Sequence, residues 1–218
     1  MNKNDYTIRS EKPDDYRIVE NIVREAFWNL NVPGCSEHYF AHILREHKDF
    51  IPELDFVLET EGKIIANIMY AKSELEDENG VKKPIVTFGP IAVHPDYQRK
   101  GFGKALIEHS FSKAVEMGYD VIVIFGNPDN YVARGFKSCL KYNICLEGDI
   151  YPTAMLVKEL KSRSLDGRKW IFRESSAGQL LEDAEAVACF DTLFAPKEKK
   201  WQPSQEEFYI HSHSVIKL

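Results

Sequence analysis

The sequence predicts an α+β fold in which strands and helices follow one another along a single main domain. Three stretches indicate this most directly. Ile18 to Phe27 has apolar residues at helical spacing, whereas Val121 to Phe125 is an unbroken β-branched and aromatic run, typical of a strand buried on both faces. Between them, an apolar run that ends at Val93 leads into a polar loop with two glycines and then an amphipathic stretch. That order of strand, glycine-rich loop and helix predicts an anion-binding site.

Composition limits the classes of partner. The chain has 218 residues, 44% of them hydrophobic, so it can bury a large core without disulfides. Its formal net charge of −6 argues against a general binder of nucleic acid or of anionic membranes, and any anion site must be local. The N-terminal residues carry no apolar signal region, and Val121 to Phe125 is too short to span a bilayer. We expect a cytoplasmic protein with no nucleic-acid or membrane partner.

The cysteines predict neither a disulfide framework nor a metal site. None belongs to a Cys-x-x-Cys pair, and no spacing in the sequence is typical of zinc. We therefore expect buried, reduced thiols and no metal, and the residues concerned are Cys35, Cys139, Cys145 and Cys189.

Two helices are predicted near the N-terminus, after a short strand at Tyr6 to Arg9. Pro13 suits the first turn of a helix, because its ring fixes a helical φ and its missing N–H would be unpaired there anyway. Pro33-Gly34 breaks that helix. Ser36 is then placed to cap a second helix that ends near His47.

Three further strands follow in hairpin order. Their turns are Glu61-Gly62-Lys63 and the Asn-Gly pair at Gly80, and the strands are Asp55 to Thr60, Lys63 to Leu75 and Pro84 to Val93. The third strand contains Gly89-Pro90 near its centre. Since proline cannot donate a hydrogen bond to a ladder, we predict a bulge or splayed pairing there.

The second half of the chain continues with a helix, the buried strand and shorter elements. Gly103 to Met117 is the helix, and Gly118 ends it. After Val121 to Phe125 the pattern predicts a turn at Gly126 to Pro128 and a short helix at Asn130 to Arg134. Two strands follow, one after Gly135-Phe136 and one at Ala154 to Glu159.

The composition changes near residue 160, so residues 1–160 are predicted to form the main domain and residues 161–218 a C-terminal extension. The extension contains too many aromatic residues for a pure linker. We expect it to pack on the outside of the domain, with a lid over an acceptor site or a dimer arm as the alternative. Its candidate elements are a strand at Trp170 to Phe172, a helix at Leu180 to Phe194 and a capping box at Ser204 to Glu207.

The glycine loop does not match two common nucleotide-binding motifs. A P-loop requires Ser or Thr after Gly-Lys, but Ala105 follows Lys104. A dinucleotide fingerprint requires a third glycine where Leu106 stands, and it opens a fold, whereas this loop follows a late strand.

Two other motifs occur in a fixed order. The first is Gln98-x-x-Gly101-x-Gly103, preceded by Ile-Ala-Val-His-Pro-Asp-Tyr, and the second is Tyr131-x-x-x-Gly-Phe136. With them, the chain from about Tyr6 to Leu160 resembles the GCN5-related N-acetyltransferase (GNAT) superfamily, in particular its bacterial subgroup of YhbS-like predicted acetyltransferases. The resemblance implies a central mixed, mainly antiparallel twisted sheet that is splayed between its fourth and fifth strands and flanked by helices.

The resemblance also implies acetyl-CoA as a co-substrate. The backbone of Ile91 and Val93 would pair with the pantetheine arm, and one of these N–H groups would point at the thioester carbonyl. The backbone from Arg99 to Lys104 would hold the pyrophosphate. Asn127 is a further candidate contact, although a turn role beside Pro128 explains it equally well. The predicted cofactor-binding residues are Ile91, Ala92, Val93, Gln98, Arg99, Lys100, Gly101, Phe102, Gly103, Lys104 and Asn127.

Acetyl transfer to an amine needs a neutral amine, a donor for the oxyanion and a proton for the departing thiolate. A lysine-like amine with a pKa of ~10.4 is neutral in only about one molecule in a few thousand at pH 7. By resemblance, Tyr131 occupies the position of the general acid, and a phenol with a pKa near ~10 remains protonated at pH 7. Aromatic packing at the start of a helix is its alternative role.

The general base stays open. Some family members have a glutamate on the fourth strand, but Ile85 to Val93 contains no carboxylate. His94 is predicted mainly to be a turn residue. The remaining options are a chain of water molecules or a carboxylate on a segment that could face the acceptor, namely Glu25, Glu53, Glu74 or Asp149.

We therefore expect an acetyl-CoA-dependent N-acetyltransferase that acetylates a primary amine of a small molecule by direct attack in a ternary complex. Two alternatives stay open at this point: a protein amine as the acceptor, and a non-catalytic acyl-CoA-binding or sensory module on the same fold. The sequence is also compatible with a homodimer.

Overall fold

The computed structural model describes residues 6–217. Within them, one mixed sheet organises the chain. Its strands are β1 (Thr7–Ser10), β2 (Phe56–Thr60), β3 (Lys63–Asp77), β4 (Lys82–Val93), β5 (Val121–Phe125), β6 (Lys137–Ser138), β7 (Ile144–Cys145), β9 (Met155–Glu159) and β10 (Trp170–Arg173), and a separate pair consists of β8 (Tyr151–Pro152) and β11 (Val215–Ile216). The main strand order is β1-β2-β3-β4-β5-β9-β6.

The helices lie on both faces of this sheet. They are α1 (Tyr16–Phe27), α2 (Glu37–Leu44), α3 (Phe102–Glu116), α4 (Pro128–Tyr131), α5 (Ala184–Asp191) and α6 (Pro203–His213). Among the described residues, no helix is long and apolar enough to cross a membrane.

The pairing confirms a mixed, mainly antiparallel sheet. Along the main path β4 and β5 are parallel, and the other neighbouring strands are antiparallel. The parallel pair is joined at a single position, Val86 opposite Ile122. Beyond that position β4 continues to Val93 without a partner on this edge, whereas β5 stays paired with β9. The two strands therefore splay and enclose a wedge.

A bulge in β4 accompanies the splay. Ile68 pairs with Ile91 and Tyr70 pairs with Phe88, so two residues of β4 lie opposite one residue of β3. The extra residue belongs to Gly89-Pro90, where the sequence predicted an interruption, and that prediction is confirmed. Because a bulge bends the strand, it turns the second half of β4 away from β5.

The core has one cluster of buried residues on the α3 face of the sheet and two clusters on the opposite face, each over a different part of the sheet. Side chains alternate between the faces, so Ile122 and Ile124 of β5 pack with α3, whereas Val121 and Val123 point the other way. On that other face, α1 and α2 cover one part of the sheet, with Met69 and Ala92 beneath them. A second cover, which we call the insertion layer, packs on β5 and β9 and consists of residues 139–152 and β10.

Part of the C-terminal extension joins the sheet. β10 pairs with the distal end of β3, from Trp170 opposite Asp77 to Arg173 opposite Glu74, and it also pairs with β7 in parallel. Trp170 and Phe172 are buried in the insertion layer. The strand predicted at Trp170 to Phe172 is therefore present, and it is part of the central sheet.

Several local predictions were wrong. The hydroxyl of Ser36 does not cap α2. The stretch from Leu180 to Phe194 is not one helix, because its first part belongs to a 3₁₀ segment, Ser176–Glu182, and only Ala184–Asp191 is α-helical. Ser204 is not a helix cap either, because Pro203 occupies the first turn of α6 and the hydroxyl of Ser204 donates to the carbonyl of Leu30 at 2.8 Å. All four cysteines are free, but only Cys139 and Cys145 are buried, whereas Cys35 is partly buried and Cys189 is exposed.

A buried acidic pair gives the fold a pH dependence. Asp55 is buried, and desolvation together with the hydrogen-bonded carboxyl of Glu11 raises its pKa well above the ordinary range. The folded state therefore keeps a proton that the unfolded chain releases above about pH 4. Stability falls as the pH rises through that window, by at most ~1.4 kcal/mol per pH unit.

Asp55→Asn is expected to remove this loss, because an amide does not ionise and can donate to Glu11. The variant should gain stability relative to the parent between pH 5 and pH 8, and the gain should grow with pH. Urea unfolding at several pH values measures it, and a gain that is constant or shrinks with pH would contradict the account.

Candidate active site

The open edge of β4 is the first part of the site. Ile91 and Val93 point their side chains into the core on the α3 face, and Ala92 points to the opposite face. One edge of this segment pairs with β3, from Ile91 opposite Ile68 to Val93 opposite Ala66. In an antiparallel ladder only alternate backbone groups point at the partner, so the other groups of β4 point into the wedge. The N–H of His94 donates to the carbonyl of Ile65 on β3 at 2.8 Å, so by alternation the backbone groups of Ile91 and Val93 point into the wedge, whereas those of Ala92 point at β3.

The loop that follows β4 is held against the end of the strand. His94 accepts a hydrogen bond from the N–H of Asp96 at 3.3 Å and begins a 3₁₀ turn, Pro95–Tyr97, so it acts as a turn residue. The side-chain amide of Gln98 donates to the carbonyl of Val93 at 3.0 Å. Gln98 therefore positions the loop relative to the strand.

The start of α3 is an open helix N-terminus. Gly101 is its N-cap and has a φ of 92°, which favours glycine, and no side chain caps the helix there. The first residue with a helical hydrogen bond is Ala105, whose N–H donates to Gly101 at 3.0 Å. The N–H groups of residues 102–104 precede it and point out of the helix end, and the first turn has no acidic residue. Such an end attracts a phosphate.

The helix start and the strand end form one surface. A Cβ on Gly103 would lie 3.4 Å from Cγ2 of Val93, so the helix approaches the strand closely. Two basic side chains nearby have protein partners: Lys100 donates to the carbonyl of Asp96 at 2.7 Å, and Lys104 lies 3.7 Å from the carboxylate of Glu108. The guanidinium of Arg99 has no hydrogen-bond or ion-pair partner among the described residues, so the free donors of the loop are this side chain and the backbone N–H groups.

Tyr131 ends α4 and lies in the wall of the wedge. Its ring centroid is 5.7 Å from that of Phe88 on β4 and 5.6 Å from that of Phe136. It also packs against Gly126 at the end of β5, where an added Cβ would lie 2.6 Å from the ring. Burial raises the pKa of Tyr131 to about 12, so the phenol is protonated at neutral pH. The structure thus brings Tyr131 between the two strands that splay.

Asn127 has a structural role in the short helix. Its side-chain oxygen accepts a hydrogen bond from the N–H of Asp129 at 3.0 Å and caps α4. The turn role proposed from the sequence is therefore present. This cap also fixes the start of the helix that carries Tyr131.

Most of the carboxylates nominated as bases have cationic partners. Glu25 pairs with Lys197 at 2.7 Å, Glu74 pairs with Lys82 at 2.7 Å, and Asp149 pairs with Lys169. Glu53 is exposed, and its charge adds to burial in raising the pKa of the Tyr119 phenol, just beyond α3. None of these contacts involves a residue of the wedge, so none of them brings a nominated carboxylate to Tyr131 or to the open edge of β4.

The sequence reasoning missed Phe88 and Gly126. Phe88 supplies the aromatic contact that fixes Tyr131 from β4, and Gly126 leaves the space into which the ring fits. A signal for both was available, because Phe88 directly precedes Gly89-Pro90 and Gly126 directly follows the buried strand.

A family model for the Acetyltransferase (GNAT) family matches residues 21–139. That match covers more than half of the chain, and the protein belongs to this family of acetyltransferases. The enzyme class and the fold inferred from the sequence are thereby confirmed.

Two uncharacterised N-acetyltransferases of Escherichia coli are similar to the chain. YhbS is 25% identical over 161 residues, which are 73% of this chain and 90% of YhbS. YjhQ is 28% identical over 97 residues, which are 44% of this chain and 52% of YjhQ.

Two crystal structures show the same fold. The structure of E. coli YhbS in complex with CoA matches with a TM-score of 0.68 at 21% identity, over 80% of this chain and 92% of that one. A GNAT family acetyltransferase from Brucella melitensis in complex with acetyl-CoA matches with a TM-score of 0.61 at 20% identity, over 79% of this chain and 97% of that one.

Gly126→Ala tests how the tyrosine is placed. The new methyl group would have to displace the ring of Tyr131, so we expect acetyl-transfer turnover to fall about tenfold or more. Affinity for acetyl-CoA should change little. Gly178→Ala, in the 3₁₀ segment Ser176–Glu182, is a matched control, since a Cβ there meets no atom within 4 Å and the backbone lies outside the left-handed region that favours glycine. Steady-state kinetics and calorimetric titration measure both quantities, and normal turnover in Gly126→Ala would contradict the placement.

Proposed function

We propose that the protein transfers the acetyl group of acetyl-CoA to a primary amine of a small molecule by direct attack in a ternary complex. The observation that carries this proposal is the geometry of the wedge: an unpaired edge of β4, an open N-terminus of α3 and a protonated Tyr131 lie around one opening. CoA and acetyl-CoA in the crystal structures of two proteins with the same fold support it.

The residues predicted to bind the cofactor divide into two groups. The backbone of Ile91 and Val93 is suited to the amides of the pantetheine arm, because both are peptide-like groups and β4 has lost its β5 partner. The N–H groups at residues 101–104 are suited to the pyrophosphate. Two contacts with Val93 fix the positions of these two groups of donors relative to each other. Gln98 donates to the carbonyl of Val93, and Gly103 packs closely against its side chain.

The chain's own groups can meet the chemical requirements of the transfer. A backbone N–H on the open edge of β4 can donate to the oxyanion that forms when the amine attacks the thioester carbonyl. Tyr131 can donate a hydrogen bond to the sulfur as the C–S bond breaks. The nitrogen loses one proton when the amide forms and the thiolate gains one, so the reaction balances without an external acid.

The position of Tyr131 also predicts the pH dependence. A phenol with a pKa of about 12 stays protonated throughout the physiological range, so its ionisation does not limit the rate. The neutral fraction of a primary amine instead rises up to its pKa of ~10.4. Turnover at low amine concentration should therefore increase with pH from 7 to 9.

Tyr131→Phe tests the proposed role of the phenol. We expect the variant to bind acetyl-CoA with the parent affinity and to lose about 10²-fold in turnover, the usual contribution of a general acid. Tyr119→Phe, just beyond α3, is the matched control and should keep full activity.

The measurement follows free thiol release from acetyl-CoA with a panel of small amines, polyamines and lysine peptides. Parent-like turnover of Tyr131→Phe would remove the tyrosine from the mechanism. Tight acetyl-CoA binding with no thiol release from any amine would instead favour a non-catalytic acyl-CoA-binding module.

A further inference from the structure

The direction from which an acceptor reaches the wedge follows from the layers of the core. α3 and Tyr131 occupy one face of the sheet at the splay. An amine that attacks a thioester held on that side must come from the opposite face. There the sheet is covered by α1 and α2 over β3 and β4, and by the insertion layer over β5 and β9. With the cofactor bound as proposed above, the acceptor's route is therefore the boundary between these two covers, which we call the groove.

Residues 184–217 connect the two covers, and we call them the strap. At its start, Asp191 of α5 accepts a hydrogen bond from Arg24 of α1 at 2.7 Å. Lys197 then pairs with Glu25 at 2.7 Å, and the carbonyl of Glu198 accepts from the indole N–H of Trp28 at 3.0 Å. This half of the strap is thus fixed to α1 and to the loop that follows it.

α6 begins on that same loop. The amide of Gln205 donates to the carbonyl of Asn29 at 3.0 Å, and the hydroxyl of Ser204 donates to that of Leu30 at 2.8 Å. Gln205 is the one residue of α6 that is buried. The N-terminal end of the helix is therefore anchored on the α1–α2 side of the groove.

The C-terminal end of α6 is anchored on the other side. The hydroxyl of Thr153 donates to the carbonyl of His211 at 3.1 Å, and the backbone N–H of Thr153 donates to the carbonyl of Ser214 at 3.0 Å. Just after the helix, β11 pairs with β8. The next residue, Ala154, accepts the N–H of Gly126 at 3.0 Å, and Gly126 is the residue on which the ring of Tyr131 packs. This end of the strap thus lies beside the end of β5 and the wall of the wedge that contains Tyr131.

Between its anchors, α6 is exposed to solvent from residue 206 to residue 210. Its 11 residues span about 16 Å. Gln205, Phe208 and His211 share one stripe of the helix, because they are three residues apart, and the two end members make the anchoring contacts. Phe208, in the middle of that inner stripe, is still 43% exposed. The centre of α6 is therefore not packed into the core of the domain.

We propose that α6 bridges the acceptor groove and that Phe208 narrows the opening beneath it, so that the enzyme accepts slender small-molecule amines and excludes amines on protein surfaces. The selectivity for amines rests on the proposed acetyl transfer, because only that transfer makes an amine the acceptor. The bridge across the groove limits access whether or not the protein transfers an acetyl group. It assigns a specificity-determining role to the C-terminal extension.

Two substitutions at Phe208 should act in opposite directions. Phe208→Ala widens the opening and Phe208→Trp narrows it, whereas a mere loss of stability would move both variants the same way. Ile210→Ala is the matched control, since Ile210 is 54% exposed and lies off the inner stripe.

Access to the groove can be measured without any acetyl transfer. Phe125 ends β5 on the groove face, where its ring is 6.1 Å from that of Phe172, and it is 43% exposed. In Phe125→Cys, a small maleimide should label the new thiol much faster than a maleimide carrying a bulky polymer, as followed by peptide mapping. Phe208→Ala should reduce this difference, Phe208→Trp should increase it, and Ile210→Ala should leave it unchanged. Equal labelling by both reagents with the strap unaltered would overturn the bridge.

The same Phe208 variants, with Phe125 intact, then test selectivity. The parent should release thiol with unbranched amines and not with a folded lysine-rich protein, and Phe208→Ala should raise kcat/KM for bulky amines about tenfold or more at constant acetyl-CoA affinity. Equal use of the folded protein and the small amine by the parent would refute the exclusion. Size-dependent labelling without thiol release from any amine would keep the bridge and refute the transferase proposal.

Discussion

The loss of pairing between β4 and β5 is the constraint on which the rest of the structure depends. Two parallel strands that meet at Val86 and Ile122 and then separate leave one edge of β4 without a partner. Unpaired backbone inside a protein is costly unless something replaces the missing hydrogen bonds. The bulge at Gly89-Pro90 bends β4 outward, and the buried pairing of β5 with β9 holds the other side of the wedge fixed. The same distortion that would weaken an ordinary sheet here creates a row of donors and acceptors for a peptide-like ligand.

The elements around the wedge are placed by contacts with its two strands. Gln98 and Gly103 hold the N-terminus of α3 against Val93, so the uncapped end of the helix lies at the end of the open edge. Phe88 and Gly126 set the ring of Tyr131 between β4 and β5. On the opposite face, the strap joins the two covers of the sheet. The open edge of β4, the open N-terminus of α3 and the phenol of Tyr131 are thus arranged around one break in the sheet.

Much of this arrangement could be predicted from local sequence. The unbroken run from Val121 to Phe125 is a strand with the predicted bounds, and the bulge follows from a proline that cannot donate to a ladder. The two motifs identified the family because a glycine-rich turn before a helix needs specific backbone conformations. Such signals are local, and a single sequence contains them in full.

The features that the sequence did not predict depend on contacts between distant parts of the chain. The pairing of β10 with β3 joins residues far apart in sequence, and the short run at Trp170 carries no sign of its partner. Ser204 matched a capping box, yet Pro203 began the helix and the serine hydroxyl found the carbonyl of Leu30. The ion pairs that occupy Glu25, Glu74 and Asp149 are likewise tertiary. No spacing rule could have shown that these carboxylates were already paired.

Hydrogen exchange measured with and without acetyl-CoA tests whether the open edge of β4 and the N-terminus of α3 bind the cofactor, because it reports on backbone N–H groups one segment at a time. We expect acetyl-CoA to slow exchange in the second half of β4, at residues 91–93, and at the start of α3, at residues 101–104. The N–H groups of β5, already paired with β9, should change little. Binding of acetyl-CoA that leaves exchange at both of the first two segments unaltered would show that the cofactor does not bind there.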